Sequence, residues 1–218
     1  MTDSKFALPD VAGSVDEAIE TAEAAARFSG VDIREIAAIS DLETVGRLYN
    51  DIWQRDAAPP IPTELLRAFA QAGNYVVGAF EGSDLVGACV GFFSAPAGTM
   101  HSHIAGVSAA VRSRHVGLAM KLHERAWARR RGVSVIAWTF DPLVARNAWF
   151  NVVKLAAGPV EYLPNFYGGM RDGINGSDDS DRLLVHWELT NPAVTGACTG
   201  KRGLATRWPS GPVVPSSR

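Results

Sequence analysis

The stretch Val107-Ser-Ala-Ala-Val-Arg112-Ser-Arg114-His115-Val116-Gly117-Leu118-Ala119 carries the clearest chemistry in this chain. An apolar run ends, a short basic loop follows, and a helical pattern starts at a glycine. A helix N-terminus presents four unpaired backbone N–H groups and about half a positive charge. That is an anion site, and phosphate or pyrophosphate suits it best. Arg112 and Arg114 add charge beside it; the competing reading is a solvated loop with two surface arginines. His101 and His103 precede the loop, and a period of two puts both on one face with Val107. An imidazole, with an ordinary pKa of ~6.5, can take a proton from an attacking amine near neutrality. The competing reading is two partly buried histidines bonded to their neighbours.

Further polar residues lie downstream. Asp141 stands before Pro142, where N-capping is a sufficient structural task and a substrate-amine contact a second role. Asn147 and Asn151 are four apart and share a helical face. Arg182 follows an acidic loop, where it can hold a substrate carboxylate or pair with Asp179 or Asp181. Tyr162, Phe166 and Tyr167 form an aromatic cluster that reads as a pocket wall or as core. Trp127, Trp138 and Trp149 read as packing.

The elements that must position these residues alternate along the chain. Asp16 to Phe28 is an Ala-rich helix stopped by Gly30; its small-residue face places it at the periphery. Val31 to Ala37 alternates as a strand. Asp41 to Trp53 and Pro62 to Ala72 read as helices, the first capped by Ser40 or Asp41. Asn74 to Phe80 and Leu85 to Phe93 form a hairpin turning at Gly82. Met100 to Val111 is a strand, Gly117 to Arg131 a helix, and Val133 to Phe140 a buried strand. Asp141-Pro142 opens a helix through Ala156. Val160 to Tyr162 and Leu183 to Leu189 are late strands. The order β-α-α-β-β-β-α-β-α-β-β predicts a mixed α/β sheet, mostly antiparallel with one βαβ unit, and not a doubly wound repeat. Residues 1–30 are expected to hold a peripheral helix, 31–190 the domain, and 191–218 a flexible tail rich in Gly, Pro, Ser and Thr.

Composition bounds the function. The 218 residues are 47% hydrophobic and 20% charged, with 21 Lys+Arg against 23 Asp+Glu. A net charge of −2 argues against a dedicated nucleic-acid-binding face. No run of 18 apolar residues predicts a membrane span, and the acidic start lacks a signal-peptide pattern. Two cysteines suggest neither a disulfide framework nor a zinc cluster, so the expected setting is the cytoplasm without a metal.

The basic loop resembles motif A of the GNAT N-acyltransferases, an Arg-x-x-Gly-x-Gly/Ala loop that wraps the pyrophosphate of coenzyme A. Two registers fit. Arg112-x-x-His115-x-Gly117 lies where the strand ends, with His115 replacing the first glycine. Arg114-x-x-Gly117-x-Ala119 matches the letters but begins late. The first is preferred. His tolerates unusual backbone angles better than most residues. Trp138-Thr-Phe-Asp-Pro-Leu143, Arg146-Asn147-Ala-Trp-Phe150-Asn151, Asn165-Phe-Tyr-Gly168 and Asp181-Arg182-Leu-Leu-Val-His-Trp187 resemble a little-characterised bacterial subgroup of that family. The resemblance spans roughly Val31 to Leu189.

The resemblance implies a GNAT-like fold splayed at its βαβ unit and an acyl-CoA co-substrate, acetyl-CoA or a larger acyl donor. It implies cofactor contacts from Val107, Ala109, Arg112, Ser113, Arg114, His115, Val116, Gly117, Leu118 and Ala119, and from Asn147 and Phe150 in the next helix. Val107's backbone N–H is the implied oxyanion donor. His101 or His103 is the implied base. The tyrosine that reprotonates the thiolate in this family is absent, since Val152 or Lys154 stands in its place; Tyr167 and Tyr162 are the substitutes, or no acid is needed, because a thiol of pKa near ~8.5 is a tolerable leaving group. Asp141, Tyr162 and Arg182 are the implied substrate contacts. The expected function is acyl transfer to a small primary amine such as an amino acid or derivative, by direct attack, in a chain that could pair as a homodimer. The alternative is a non-catalytic acyl-CoA-binding module. A nucleotide-dependent oxidoreductase is excluded, because the loop lacks Gly-x-Gly-x-x-Gly.

Overall fold

The computed structural model describes residues 14–54, 58–168 and 180–200. A seven-stranded sheet runs in the order β1-β2-β3-β4-β5-β7-β6. Its strands are β1 (Asp32–Glu35), β2 (Tyr75–Glu81), β3 (Asp84–Ser94), β4 (Thr99–Val107), β5 (Val135–Phe140), β6 (Gly158–Leu163) and β7 (Arg182–Glu188). All neighbours pair antiparallel except β4 and β5. The predicted element order and mixed sheet are as observed.

Helices α2 (Ile39–Trp53) and α3 (Thr63–Gln71) cover one face. Leu42, Val45, Tyr49 and Leu66 pack there against Val76, Ala88, Val90 and Ile104. Helix α4 (Val116–Arg130) and the short α5 (Ala145–Ala148) cover the other. Met120, Trp127 and Ala128 meet Val77, Cys89, Met100, Ile136, Trp138 and Trp187 there. The central strands β2 and β3 send side chains to both of these apolar layers, as a period of two allows.

The β4–β5 register positions the site. Pairing holds from Thr99↔Val135 to His101↔Ala137 and then stops, while β4 stays paired to β3 as far as Val107↔Gly87. The two parallel strands therefore part, and a cleft opens between them. In β4 the register shifts between Val90↔Ile104 and Gly91↔Ser102, leaving His103 as the extra residue of a bulge.

Four elements differ from the sequence-based expectation. Helix α1 (Val15–Ser29) is not peripheral: Ala18 and Ala22 are buried against Leu122 and Ala126 of α4. Small side chains let the two helices approach closely, and Arg125 reaches Glu17 at 2.9 Å across the contact. Ala38 is the N-cap of helix α2 and makes no side-chain cap, so Ser40 and Asp41 lie within the helix. The helix expected to start at Asp141 begins instead at Ala145 and continues as a π-helical turn, Trp149–Lys154. Asp141 Oδ1 accepts from Leu143 N at 2.8 Å, so it caps a turn and not the helix. The expected flexible tail opens with α6 (Pro192–Cys198), Asn191-capped, with Val194 buried and Cys198 against α1 and α4. Residues 1–13, 55–57, 169–179 (with Asp179) and 201–218 lie outside the described residues.

Candidate active site

One end of the cleft is built from backbone. Beyond Val107 the chain makes a 3-10 turn, Ala109–Val111, capped by Ser108. Ser113 and His115 then take left-handed angles, φ 71° and 63°, His115 immediately before α4. Such angles are uncommon outside glycine but more frequent for His. His115 thus occupies the conformation that a glycine would supply. Among the described residues the N–H groups of Val116, Gly117 and Leu118 meet no acceptor; Ala119 N is the first to bond back, to His115 O at 3.0 Å. A Cβ on Gly117 would meet only Val107 Cγ2, at 3.8 Å. The protein's own packing leaves that space open, as an anion over the helix end needs.

The two arginines divide. Arg112 is exposed, and among the described residues no ion pair holds it. Arg114 donates to Glu81 at 2.8 and 3.0 Å and lies near Ser29 O. That bond raises the Arg114 pKa and lowers that of Glu81. The Arg114 guanidinium ties the loop to the β2–β3 hairpin. Leu118 packs toward α1 and Ala119 is buried, so these two offer backbone and not side chains.

From the helix end the cleft runs inward between β4 and β5, with a volume of about 250 Å³. Ala105, Val107, Gly117 and Met120 line one side, and Trp138, Thr139, Phe140, Asn147 and Phe150 the other. Ser108 N donates to Val86 O at 2.8 Å, which fixes the alternation of the antiparallel ladder. Ser108 and Gly106 turn their N–H groups to β3, so Ala105 and Val107 turn theirs to the cleft. Asn147 faces the cleft from α5, but Asn151 is committed, its Oδ1 accepting from Trp138 Nε1 at 3.1 Å. Trp138 is core, whereas Trp149 is 54% exposed and not packing as expected.

The inner end holds side chains that sequence reasoning missed. Lys121 Nζ donates to Ser102 Oγ at 2.8 Å and to Glu124 Oε2 at 2.7 Å, and sits 4.1 Å from the centre of the Trp138 ring. Glu124 is fully buried and Lys121 nearly so. Cys89 lies behind, 3.9 Å from Ser102 Oγ and Glu124 Oε1. Burial, then Glu124, push its thiol far above the usual range, so it is inert. The signal available was a Lys and a Glu three apart among the apolar residues of one helix, which reads as a solvated surface pair.

The histidine rings lie by Phe92 on the opposite face of the sheet, and His103, at the bulge, also lines the cleft. Their rings lie 6.0 Å apart and both approach Phe92, at 5.2 and 5.9 Å, so they share a face as expected. Val107 does not share it: its side chain packs on the α4 side with Gly117. The bulge at His103 adds one residue and reverses the alternation beyond it. Burial lowers the pKa of both imidazoles, and His103 and Lys121 lower that of His101 further. Both are therefore neutral at pH 7 and able to accept a proton.

Tyr167 OH lies 3.2 Å from Thr139 Oγ1, and Thr139 lines the cleft from β5. Arg182 is buried against the Tyr167 ring, 5.5 Å from its centre, and donates to Asp181 O at 2.8 Å. The expected side-chain pair between Arg182 and Asp181 is not formed. Asp181 instead accepts from the Tyr162 hydroxyl and from Asn165 N at 2.9 Å. The Tyr162 bond is the main cause of the raised Tyr162 pKa and the lowered Asp181 pKa. A larger hollow of about 410 Å³ lies between α1, β1 and α4, but its Glu23, Glu35, Arg27 and Arg130 are mixed in sign and it borders no helix N-terminus.

No protein-family model matches the chain, and no curated protein does. Solved structures do. An N-acetyltransferase from Staphylococcus aureus is 14% identical with a TM-score of 0.58, covering 73% of this chain and 98% of that one. A Streptococcus pneumoniae acetyltransferase of the GNAT family is 12% identical with a TM-score of 0.58, covering 72% and 97%. A Salmonella typhimurium protein assigned as an acetyltransferase, solved with its cofactor acetyl-CoA, is 18% identical with a TM-score of 0.56, covering 73% and 94%.

Proposed function

We propose that this chain, which has the fold of the GNAT acetyltransferases, is an acyl-CoA-dependent N-acyltransferase acting on a small primary amine. The observation that carries the reading is the parting of β4 from β5 beside three N–H groups at the start of α4 that meet no acceptor among the described residues. Val116, Gly117 and Leu118 with Arg112 fit the pyrophosphate. The open edge of β4 and Asn147 on α5 fit the arm that follows. When bound, the thioester supplies an already activated acyl group.

The chain's own residues then do three things. A backbone N–H of β4 turned into the cleft near the acyl end donates to the oxygen on which charge develops. A neutral imidazole of His101 or His103, directly or through a water, takes the proton that the attacking amine must lose. Tyr167, beside Thr139, replaces the absent helix tyrosine as the proton donor to the leaving thiolate. Arg182, beside the Tyr167 ring, with Tyr162 and Asp141 are the proposed contacts to the acceptor.

Thiol release from acetyl-CoA, measured over a panel of amines, tests this reading. Release that depends on an amine is expected. CoA binding without release by any amine contradicts it and leaves a non-catalytic acyl-CoA-binding module.

A further inference from the structure

The inner end of the cleft is closed by a side chain. β4 and β5 are still paired at His101↔Ala137. At the next residues, Ser102 and Trp138, the strands have just parted. Lys121 reaches across from α4 at this point. Its Nζ is in hydrogen-bond contact with Ser102 on one strand and 4.1 Å from the Trp138 ring on the other. One separation is a hydrogen bond and the other a direct ring contact, so no chain of atoms passes between the ammonium and either strand. Glu124, fully buried, holds Nζ at 2.7 Å from the far side and fixes the lysine in place. A surface lysine would swing aside; this one would leave a buried carboxylate unpaired if it did.

The direction of the cleft gives the closure a meaning. A ligand whose phosphates lie over the start of α4 runs inward along β4 from Val107 toward Ser102. That is about 16 Å at roughly 3.3 Å per strand residue. The acyl end of such a ligand meets the wedge of Lys121, Ser102 and Trp138.

We infer that Lys121 is a specificity-determining residue that limits the donor to a short acyl group such as acetyl. The inference rests on the proposed acyl-CoA site and names the donor class within it. The closure acts by volume, so an apolar side chain of similar length in its place preserves the limit and a small one removes it.

The test is direct binding of CoA, acetyl-CoA and hexanoyl-CoA to the full chain, by calorimetry and without turnover. Two double variants keep Glu124 from being left charged and unpaired: Lys121→Ala with Glu124→Gln, and Lys121→Met with Glu124→Gln. The wild-type chain is expected to bind acetyl-CoA and CoA alike and hexanoyl-CoA at least about tenfold more weakly. The alanine variant is expected to bind hexanoyl-CoA and acetyl-CoA alike, and the methionine variant to behave as wild type. Equal binding of hexanoyl-CoA and acetyl-CoA by the wild type overturns the inference, as does a methionine variant that behaves like the alanine one. Failure of the wild type to bind CoA itself overturns the acyl-CoA site, and the inference with it.

Discussion

The two ends of the cleft are built from different materials. The outer end is backbone: left-handed Ser113 and His115, then N–H groups at Val116, Gly117 and Leu118 that meet no acceptor among the described residues. The inner end is side chain: a buried Lys121–Glu124 pair bridged to Ser102 and stacked on Trp138. A backbone site offers partial charges that solvent can reach when no ligand is present. A buried charge pair forgoes hydration at all times and stands only while each partner is present. The first suits a group that comes and goes, and the second a fixed wall.

This difference predicts opposite responses to substitution. At the inner end the largest effect is on folding. Lys121→Met alone leaves Glu124 buried without its partner, which destabilises by about 3–5 kcal/mol. Adding Glu124→Gln recovers most of that loss. Urea denaturation of the single and double variants reads both; a single variant as stable as wild type would show the pair to be solvated.

Between the ends, on the opposite face, the effect is on turnover. Replacing the base, His101 or His103, by Ala lowers turnover by ~10²-fold or more. Both imidazoles are held below their ordinary pKa by burial. The base must be neutral, so activity falls only as the pH drops through that lowered value. The acidic limb of the pH–rate profile therefore lies below the ~6.5 of free histidine. It disappears in the inactive variant. If both histidine variants keep normal turnover and the same limb while Asp141→Asn is folded and dead, the aspartate is the base.

At the outer end the effect is on affinity and leaves folding alone. Arg112→Ala with Gly117→Pro removes one charge and one N–H, and the first helical turn tolerates proline. CoA affinity should fall at least about tenfold, roughly 1.4 kcal/mol. An unchanged affinity in the folded variant removes the phosphate assignment. Away from the cleft, Val194→Ala should destabilise by about 1.6 kcal/mol, at ~0.8 per buried carbon lost. A melting temperature equal to wild type would show that α6 contributes nothing to the packed layer.

The outer end was legible in the sequence because it follows from local order. A strand, a basic loop and a helix opening near Gly117 are visible in consecutive residues, and so was the element order around them. The inner end was not, because Lys121 meets Ser102 and Trp138 only after three elements have packed. The face of Val107 was misread for a related reason: one bulged residue, His103, reverses a strand's alternation without a mark in the letters. The docking of α1 escaped because an alanine face looks weak until a partner helix approaches it closely. Arg114 matched the motif's letters, yet Glu81, 33 residues away in sequence, claims it.

The central claim is that CoA binds with its pyrophosphate on the first N–H groups of α4. Backbone amide resonances followed during a CoA titration test it most directly. The account predicts that Val116, Gly117 and Leu118 shift most, with Val107 following, while amides around the Arg27–Arg130 hollow stay still. CoA that binds tightly but moves the hollow and leaves the start of α4 unperturbed would contradict it.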